Sequence, residues 1–130
     1  MKFMMMMHYG GEGPAIHTWP PKDIKAHIDF MLGFNKQLAE AGEFVDGQGL
    51  AGPEQAKLVR ARKGGGPAIT DGPFPEAKEF LAGFWIIDCE NEQRAIELAA
   101  RASAAPGLGG VPMSIPIEVR QVMCSPKLEG

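Results

Sequence analysis

The apolar residues of this chain fall into strand-like runs separated by helix-like spacings. Residues 2–9 form a continuous apolar run with a polar end, and residues 83–89 form a second and stronger run. Continuous runs of this length are typical of strands that are buried on both faces. Residues 43–50 form a weaker strand broken by glycine, and residues 114–122 alternate apolar and polar side chains around Pro116. Proline and alternation together predict that 114–122 is a half-exposed edge strand.

Two further segments have the spacing of amphipathic helices. The proline pair Pro20-Pro21 begins the first, which runs to about residue 41, and Asn91 caps the second, which runs to about residue 104. Apolar residues recur at helical spacing in both segments and predict their inward faces. These residues are Ile24, Ile28, Met31, Leu32 and Leu38 in the first helix, and Ala95, Ile96 and Ala99 in the second.

The order of these elements predicts a ferredoxin-like α+β fold. Residues 55–63 and 68–70 flank three consecutive glycines, so the order is β-α-β, a hairpin, and β-α-β. With the two continuous apolar strands in the centre, this order gives an antiparallel sheet with both helices on one face. We expect one domain over residues 1–130, in which residues 51–81 form a hairpin and loop insertion. The uncovered face of the sheet then needs a partner, which predicts a homodimer.

Composition narrows the class of function. The net charge is −3 and no basic stripe is present, which argues against direct binding of nucleic acid. No stretch approaches the roughly 20 apolar residues of a membrane span. Cys89 and Cys124 stand alone, which predicts free thiols in a reducing, cytoplasmic setting. Phosphate-binding glycine loops and metal-ligand spacings are missing from the sequence, so we expect neither a cofactor nor a metal.

Two residues are the main candidates for chemistry. His27 falls on the predicted inward face of the first helix, where burying an imidazole is costly unless it is hydrogen-bonded. It is either a core histidine bound to a backbone carbonyl or an acid, or a general acid/base that faces a pocket. Asp71 precedes a Gly-Pro turn, and it either caps that turn or orients His27. Asp46, after the first helix, is a competing partner for His27.

Asp46 is also a candidate for binding a substrate, and four more residues are candidates for the same role. Glu76 and Lys78 belong to a charged run after the turn, where they either face solvent or contact a ligand. Phe74 and Trp85 are either core residues or a platform for the ligand.

Residues 70–79 read T-D-G-P-F-P-E-A-K-E and precede a strand that begins Gly-Phe-Trp. This block resembles the signature of the DGPF branch of the YCII-related family, with every fixed position present. The resemblance extends to the amino-terminal strand, to His27 and to the sequence I-E-V-R at residues 117–120. It implies a ferredoxin-like fold that assembles as a dimeric α/β barrel. It also implies a His–Asp acid/base centre, at His27 and Asp71 by position.

Two functions follow from the residues and the resemblance together, and both remain open. In the first, His27 and a carboxylate catalyse a cofactor-free isomerisation or elimination of a small organic substrate. In the second, the same pocket senses a metabolite without catalysis, and a partner such as an extracytoplasmic-function sigma factor responds. A third and simpler alternative is a dimeric scaffold in which the His–Asp pair is structural.

Overall fold

Six strands and two α-helices make up the described part of the chain, which comprises residues 1–10, 16–71 and 79–124 of a computed structural model. The strands are β1 (Lys2–Tyr9), β2 (Phe44–Gly49), β3 (Lys57–Ala61), β4 (Pro67–Asp71), β5 (Phe80–Asp88) and β6 (Ile117–Gln121). The helices are α1 (Pro21–Glu40) and α2 (Glu92–Ser103). The predicted α+β order, including the hairpin between the two halves, is confirmed.

Four of the strands form one antiparallel sheet in the order β2-β5-β1-β6. The two continuous apolar strands, β1 and β5, lie in the centre as predicted, and β6 lies at an edge. Strands β3 and β4 pair only with each other and form a separate hairpin within the described chain. Three glycines with positive φ make the tip of this hairpin, a conformation that side chains rarely tolerate.

The core lies between the two helices and one face of the sheet. Alternate residues of the central strands, Phe3 and Met5 in β1 and Trp85 and Ile87 in β5, are buried there. From the helices, the buried residues are Phe34 and Leu38 in α1 and Ala95, Leu98, Ala99 and Ala102 in α2. The small side chains of α2 allow that helix to approach the sheet closely, while α1 fills its interface with larger residues.

The predicted inward faces of both helices are wrong in part. Ile28 and Leu32 are 49% and 63% exposed, and Ile96 of α2 is 48% exposed. The residues that face the core lie one or two positions away, at Phe34 in α1 and Leu98 in α2. Helix α1 therefore has two overlapping apolar stripes, one that contains Ile28 and Leu32 and one that contains Phe34. The stripe with Phe34 is the buried one, and the Phe34 ring contacts the Trp85 ring edge-on at 5.5 Å.

The ends of the helices agree with the predicted signals. The side-chain oxygen of Asn91 accepts a hydrogen bond from Arg94 N at 2.9 Å, which caps α2. Pro20 precedes α1 with φ of −53°, and Gly42 follows its end with φ of +72°. Both helices end one residue earlier than the sequence suggested.

The two cysteines are unpaired, as predicted. Cys89 is buried and its Sγ donates to the carbonyl of Asn91 at 3.4 Å. Burial raises the pKa of the Cys89 thiol, so this group stays protonated near neutrality and is a poor nucleophile. Cys124 is exposed.

A half-buried ion pair joins the start of β2 to the first turn of α2. Arg94 donates from Nη2 to Glu43 Oε1 at 2.8 Å and from Nε to Glu43 Oε2 at 2.9 Å. This two-pronged geometry suits guanidinium and carboxylate. The hydrogen bonds from Arg94 hold the pKa of Glu43 below its usual value, although burial opposes them.

We expect Glu43→Gln to lower the free energy of unfolding by about 1–3 kcal/mol at neutral pH, since Arg94 loses its charged acceptor. Because the pKa of Glu43 is lowered on folding, the pair contributes fully above its ordinary value of 4.5. That contribution disappears as the pH falls through the lowered pKa. Urea unfolding at pH 7 and pH 3 should therefore show a variant effect that shrinks on acidification.

Glu40→Gln is the matched control, because Glu40 contacts Lys36 only at 4.0 Å and both side chains are exposed. We expect it to change stability by less than about 0.5 kcal/mol. An effect of Glu43→Gln that is equally large at both pH values would contradict the assignment to this ion pair.

Candidate functional site

A cavity of about 900 Å³ lies between α1 and the helix-covered face of the sheet. Helix α1 contributes four residues to its wall: Ile24, His27, Met31 and Asn35. The sheet contributes β5 residues that include Phe80, Ala82, Gly83 and Trp85, together with Gly47, Gln48 and Gly49 of β2. Met113 and Ile115, from the segment between α2 and β6, also line it.

A glycine at a helix-facing position of the sheet leaves part of this space open. Gly49 pairs with Gly83, two residues along β5 from Trp85, so both glycines lie on the covered face. Gly49 has no side chain to fill the gap beneath α1, whereas a Cβ atom at Gly83 would lie 2.8 Å from the carbonyl oxygen of Gln48. A Cβ atom added at Gly49 would meet nothing within 4 Å. The tightly packed core therefore ends at Trp85, and the cavity begins next to it at Gly49.

His27 lies on the wall of the cavity with one ring nitrogen already bound. Its Nδ1 is 3.1 Å from the carbonyl oxygen of Pro106, and its ring meets Trp19 edge-on at 6.0 Å. A carbonyl can only accept, so Nδ1 carries the proton of this bond. In the neutral ring Nε2 is then the basic nitrogen, and it has no hydrogen-bond partner among the described residues.

The segment that holds His27 is fixed by a second contact from the same helix. Asp23, one turn earlier on α1, is buried, and its Oδ2 accepts from Gly109 N at 3.0 Å. Gly109 has φ of +70°, within a turn at Leu108–Gly110. Two successive turns of α1 are thus hydrogen-bonded to the segment between α2 and β6. These two hydrogen bonds orient the imidazole of His27.

Trp85 lines the cavity and is fixed from three sides. Its Nε1 donates to Asn35 Oδ1 at 2.8 Å, and its ring contacts Phe34. On the third side, Gly47 pairs with Trp85 in the sheet. A Cβ atom at Gly47 would lie 2.9 Å from Trp85 Cδ1. Trp85 therefore serves both the core and the cavity wall, which the sequence had left as alternatives.

Asp46 is bound locally. Its Oδ1 accepts from Gly47 N at 2.9 Å and from Gln48 Nε2 at 3.1 Å. Asp46 pairs with Ile86, so its position in β2 belongs to the face of the sheet that the helices leave uncovered. The described contacts do not bring Asp46 to His27, whose Nδ1 is held by Pro106 instead.

The remaining candidates lie at or beyond the end of the hairpin. Asp71 is the last residue of β4, opposite Lys57. Phe74, Glu76 and Lys78 lie outside the described residues. Phe80, two residues after Lys78, already lines the cavity. Pairing of Asp71 with His27, and contact of the other three with a ligand, therefore remain predictions.

Asn35 is a site residue that sequence reasoning missed. It lies about two turns after His27 on α1 and adds an amide to a mostly apolar wall. In the sequence Asn35 is one of three consecutive polar residues between Phe34 and Leu38, and such a run on a helix usually indicates an exposed face. Only its contact with Trp85 reveals its role.

Within residues 1–10, 16–71 and 79–124, no group of three or more His, Cys, Asp or Glu side chains is arranged to hold a metal ion. Neither described helix is long and apolar enough to cross a membrane.

Comparison with known proteins identifies the class. The model of the YCII-related domain matches residues 1–113. The chain therefore belongs to the YCII-related family. It is also similar to an uncharacterised protein of Rhizobium meliloti (strain 1021), with 29% identity over 88 residues. That match covers 68% of this chain and 70% of the relative, and the relative's name assigns no activity.

We expect Gly47→Ala to destabilise the protein by about 1–3 kcal/mol, because the new methyl group displaces the Trp85 ring. The emission of Trp85 should shift at the same time, since its hydrogen bond to Asn35 is strained. Gly49→Ala is the matched control in the same strand, because its methyl group enters open space. Equal stabilities of the two variants would show that Trp85 is not held against Gly47.

Proposed function

We propose that this protein binds a small, largely apolar organic molecule in the cavity beneath α1, and that Nε2 of His27 exchanges a proton with it. The arrangement of His27 carries the proposal. Its Nδ1 is committed to the Pro106 carbonyl, which leaves Nε2 as the base at the wall of a roomy pocket. Mostly apolar pockets with a few convergent polar groups are the usual form of small-molecule sites.

The chemistry needs no further group than the imidazole. Nε2 takes a proton from a carbon or hydroxyl group of the substrate, and the electron pair stays on the substrate. The resulting imidazolium keeps its Nδ1–H bond to the Pro106 carbonyl, which stabilises the charge. Return of the proton to a different atom completes an isomerisation, and loss of a leaving group completes an elimination. Asp71 remains the proposed acid partner of His27, as the family resemblance implies, and because Nδ1 is bound to Pro106 it acts on His27 through its negative charge and not through a hydrogen bond to Nδ1.

An assay that does not require the natural substrate tests this role of His27. We expect the wild-type protein to catalyse exchange of acidic C–H protons for deuterium in a panel of small ketones, lactones and phenols in D₂O. His27→Ala should lower the exchange rate at least about 100-fold, as typical for loss of a general base. Asp71→Asn should lower it if Asp71 acts with His27. Proton NMR measures the exchange directly.

Two controls make the assay specific. His8→Ala removes a histidine that pairs with Glu118 at 3.0 Å and does not line the cavity, so exchange should persist. Gly49→Phe fills the cavity from the sheet side, so exchange should stop while the fold is retained. Exchange that survives both His27→Ala and Asp71→Asn would rule out this acid/base centre.

One observation favours a non-catalytic alternative. The group that orients His27 is a neutral carbonyl, whereas a carboxylate would stabilise the imidazolium more strongly. In this alternative the cavity senses a metabolite, and a partner such as an extracytoplasmic-function sigma factor responds. The expected result is binding without deuterium exchange, together with ligand-dependent capture of a purified sigma factor. Exchange that depends on His27 would exclude it.

We also propose that the protein is a homodimer joined through the uncovered face of the sheet. In the middle of the central strands, the alternate residues that point away from the helices are apolar and only half-buried, while the exposed residues Lys2 and Asp88 pair at one end of this face. The apolar residues are Met4, Met6, Phe84 and Ile86. Polar residues of the outer strands border them, with Asp46 and Gln48 on one side and Glu118 and Arg120 on the other. An apolar centre with a polar rim is typical of subunit interfaces.

We expect Met6→Lys and Ile86→Lys each to shift the protein from dimer to monomer in light scattering coupled to size exclusion. A charge at the centre of an apolar interface loses its hydration without gaining a partner. Leu32→Lys is the control, because Leu32 is exposed on α1 away from the sheet. A wild-type protein that is monomeric at high concentration would disprove the dimer, whatever the function of the cavity.

A further inference from the structure

The side-chain amide of Asn35 is a polar group of the cavity that the proposed chemistry does not use. Its Oδ1 accepts a hydrogen bond of 2.8 Å from Trp85 Nε1. An indole nitrogen only donates, so the atom that faces it must be the oxygen of the amide. This contact determines which way the amide points.

The nitrogen of Asn35 is consequently left with two N–H groups. Nδ2 of Asn35 has no acceptor among the described residues. Every buried polar side-chain atom in this part of the chain does have a hydrogen-bond partner, so Nδ2 is not one of the buried atoms. The amide nitrogen must therefore be accessible, and Asn35 lines the cavity. The contacts of Trp85 with Phe34 and Gly47 hold the indole that fixes the amide. The donor is therefore pre-oriented, which is the condition for selective recognition.

His27 supplies the complementary group on the same helix. Its Nε2 accepts a hydrogen bond in the neutral ring, while Asn35 Nδ2 donates. Eight residues separate the two side chains, which corresponds to about 12 Å along the helix axis. Both side chains lean toward the amino terminus of α1, so their tips keep a similar separation. A ligand that reaches both groups has its polar atoms roughly 6–12 Å apart.

The charge of the described wall adds a second constraint. Among the described residues that line the cavity there is no Lys or Arg, and Glu54 contributes a negative charge. His17 and His27 are the histidines of this wall, and an anionic ligand would gain no Lys or Arg partner there while Glu54 repels it. The wall therefore favours an uncharged molecule.

From these features we infer that Asn35 Nδ2 binds the carbonyl oxygen of an uncharged, elongated organic ligand, whose hydroxyl or acidic C–H group lies at His27 Nε2. The inference rests on the proposed function, because it assigns the ligand class of the same cavity. Asn35 is a specificity-determining residue in this arrangement. Trp85 and Gly47 act through it as positioning residues.

The test compares two probes of nearly the same shape. 6-Hydroxy-1-tetralone carries a ketone and a phenol at opposite ends, whereas 5,6,7,8-tetrahydro-2-naphthol lacks the ketone. We expect the wild-type protein to bind the ketone about tenfold more tightly, as one added hydrogen bond allows. Calorimetry at pH 6.5 measures both affinities, and quenching of tryptophan emission, to which Trp19 and Trp85 both contribute, reports occupancy of the cavity. The anionic 6-hydroxy-2-naphthoate should bind least well.

Asn35→Asp is the decisive variant, because it keeps an oxygen that accepts from Trp85 and removes both N–H donors. We expect it to abolish or reverse the tenfold preference for the ketone. Unchanged Trp85 emission without a probe would show that the indole contact persists. Gln37→Glu is the control for added negative charge, since Gln37 is exposed on the same helix and does not line this cavity. It should keep the preference.

Three results would overturn the inference. They are equal wild-type affinity for both probes, a ketone preference that survives Asn35→Asp, and no binding of either neutral probe at 1 mM. None of them depends on proton transfer by His27, which the deuterium exchange assay tests separately. A His27-dependent exchange with no role for Asn35 would leave the proposed function standing and remove only this ligand class. A ketone preference that depends on Asn35, without exchange, would support the inference and favour the sensing alternative.

Discussion

The antiparallel pairing of β1 with β5 is the constraint on which the rest of the structure depends. This register sets Met5 beside Trp85 and Met4 beside Ile86, and so divides the central strands into two faces. A shift of one residue would exchange the faces, since side chains alternate along a strand. One face receives both helices and becomes the core. The other keeps an apolar centre uncovered, which is the basis of the proposed dimer.

The cavity is a consequence of how that core ends. Helix α1 packs tightly where Phe34 meets Trp85, and it spans empty space where the sheet offers Gly49. Close packing elsewhere keeps the helix from collapsing into the gap, because protein interiors resist local deformation. A pocket of this origin keeps its shape without a ligand. Polar groups on its wall are then fixed by the fold itself.

His27 and Asn35 each have one side-chain atom bound to the protein and a second atom that we propose is left for a ligand. The Pro106 carbonyl takes Nδ1 of His27, and the Trp85 indole takes Oδ1 of Asn35. In both cases the fixed contact determines the chemical character of the remaining atom, an acceptor at His27 and a donor at Asn35. Membership of the YCII-related family does not name a ligand, so the proposed ligand class rests on these side chains.

Local patterning determined the elements of this protein and their order in the sheet. The continuous apolar runs placed β1 and β5 in the centre, and Pro116 and alternation placed β6 at an edge. These signals are local, since they report burial and turn chemistry of neighbouring residues. Tertiary packing alone decided which of two overlapping stripes on α1 is buried, so that Phe34 faces inward and Ile28 outward. It also brought Pro106 to His27, 79 residues away, and Trp85 to Asn35, 50 residues away. Contacts between residues so distant in the chain leave no periodic trace in the sequence, because they arise only when the sheet register and the helix orientation are both set.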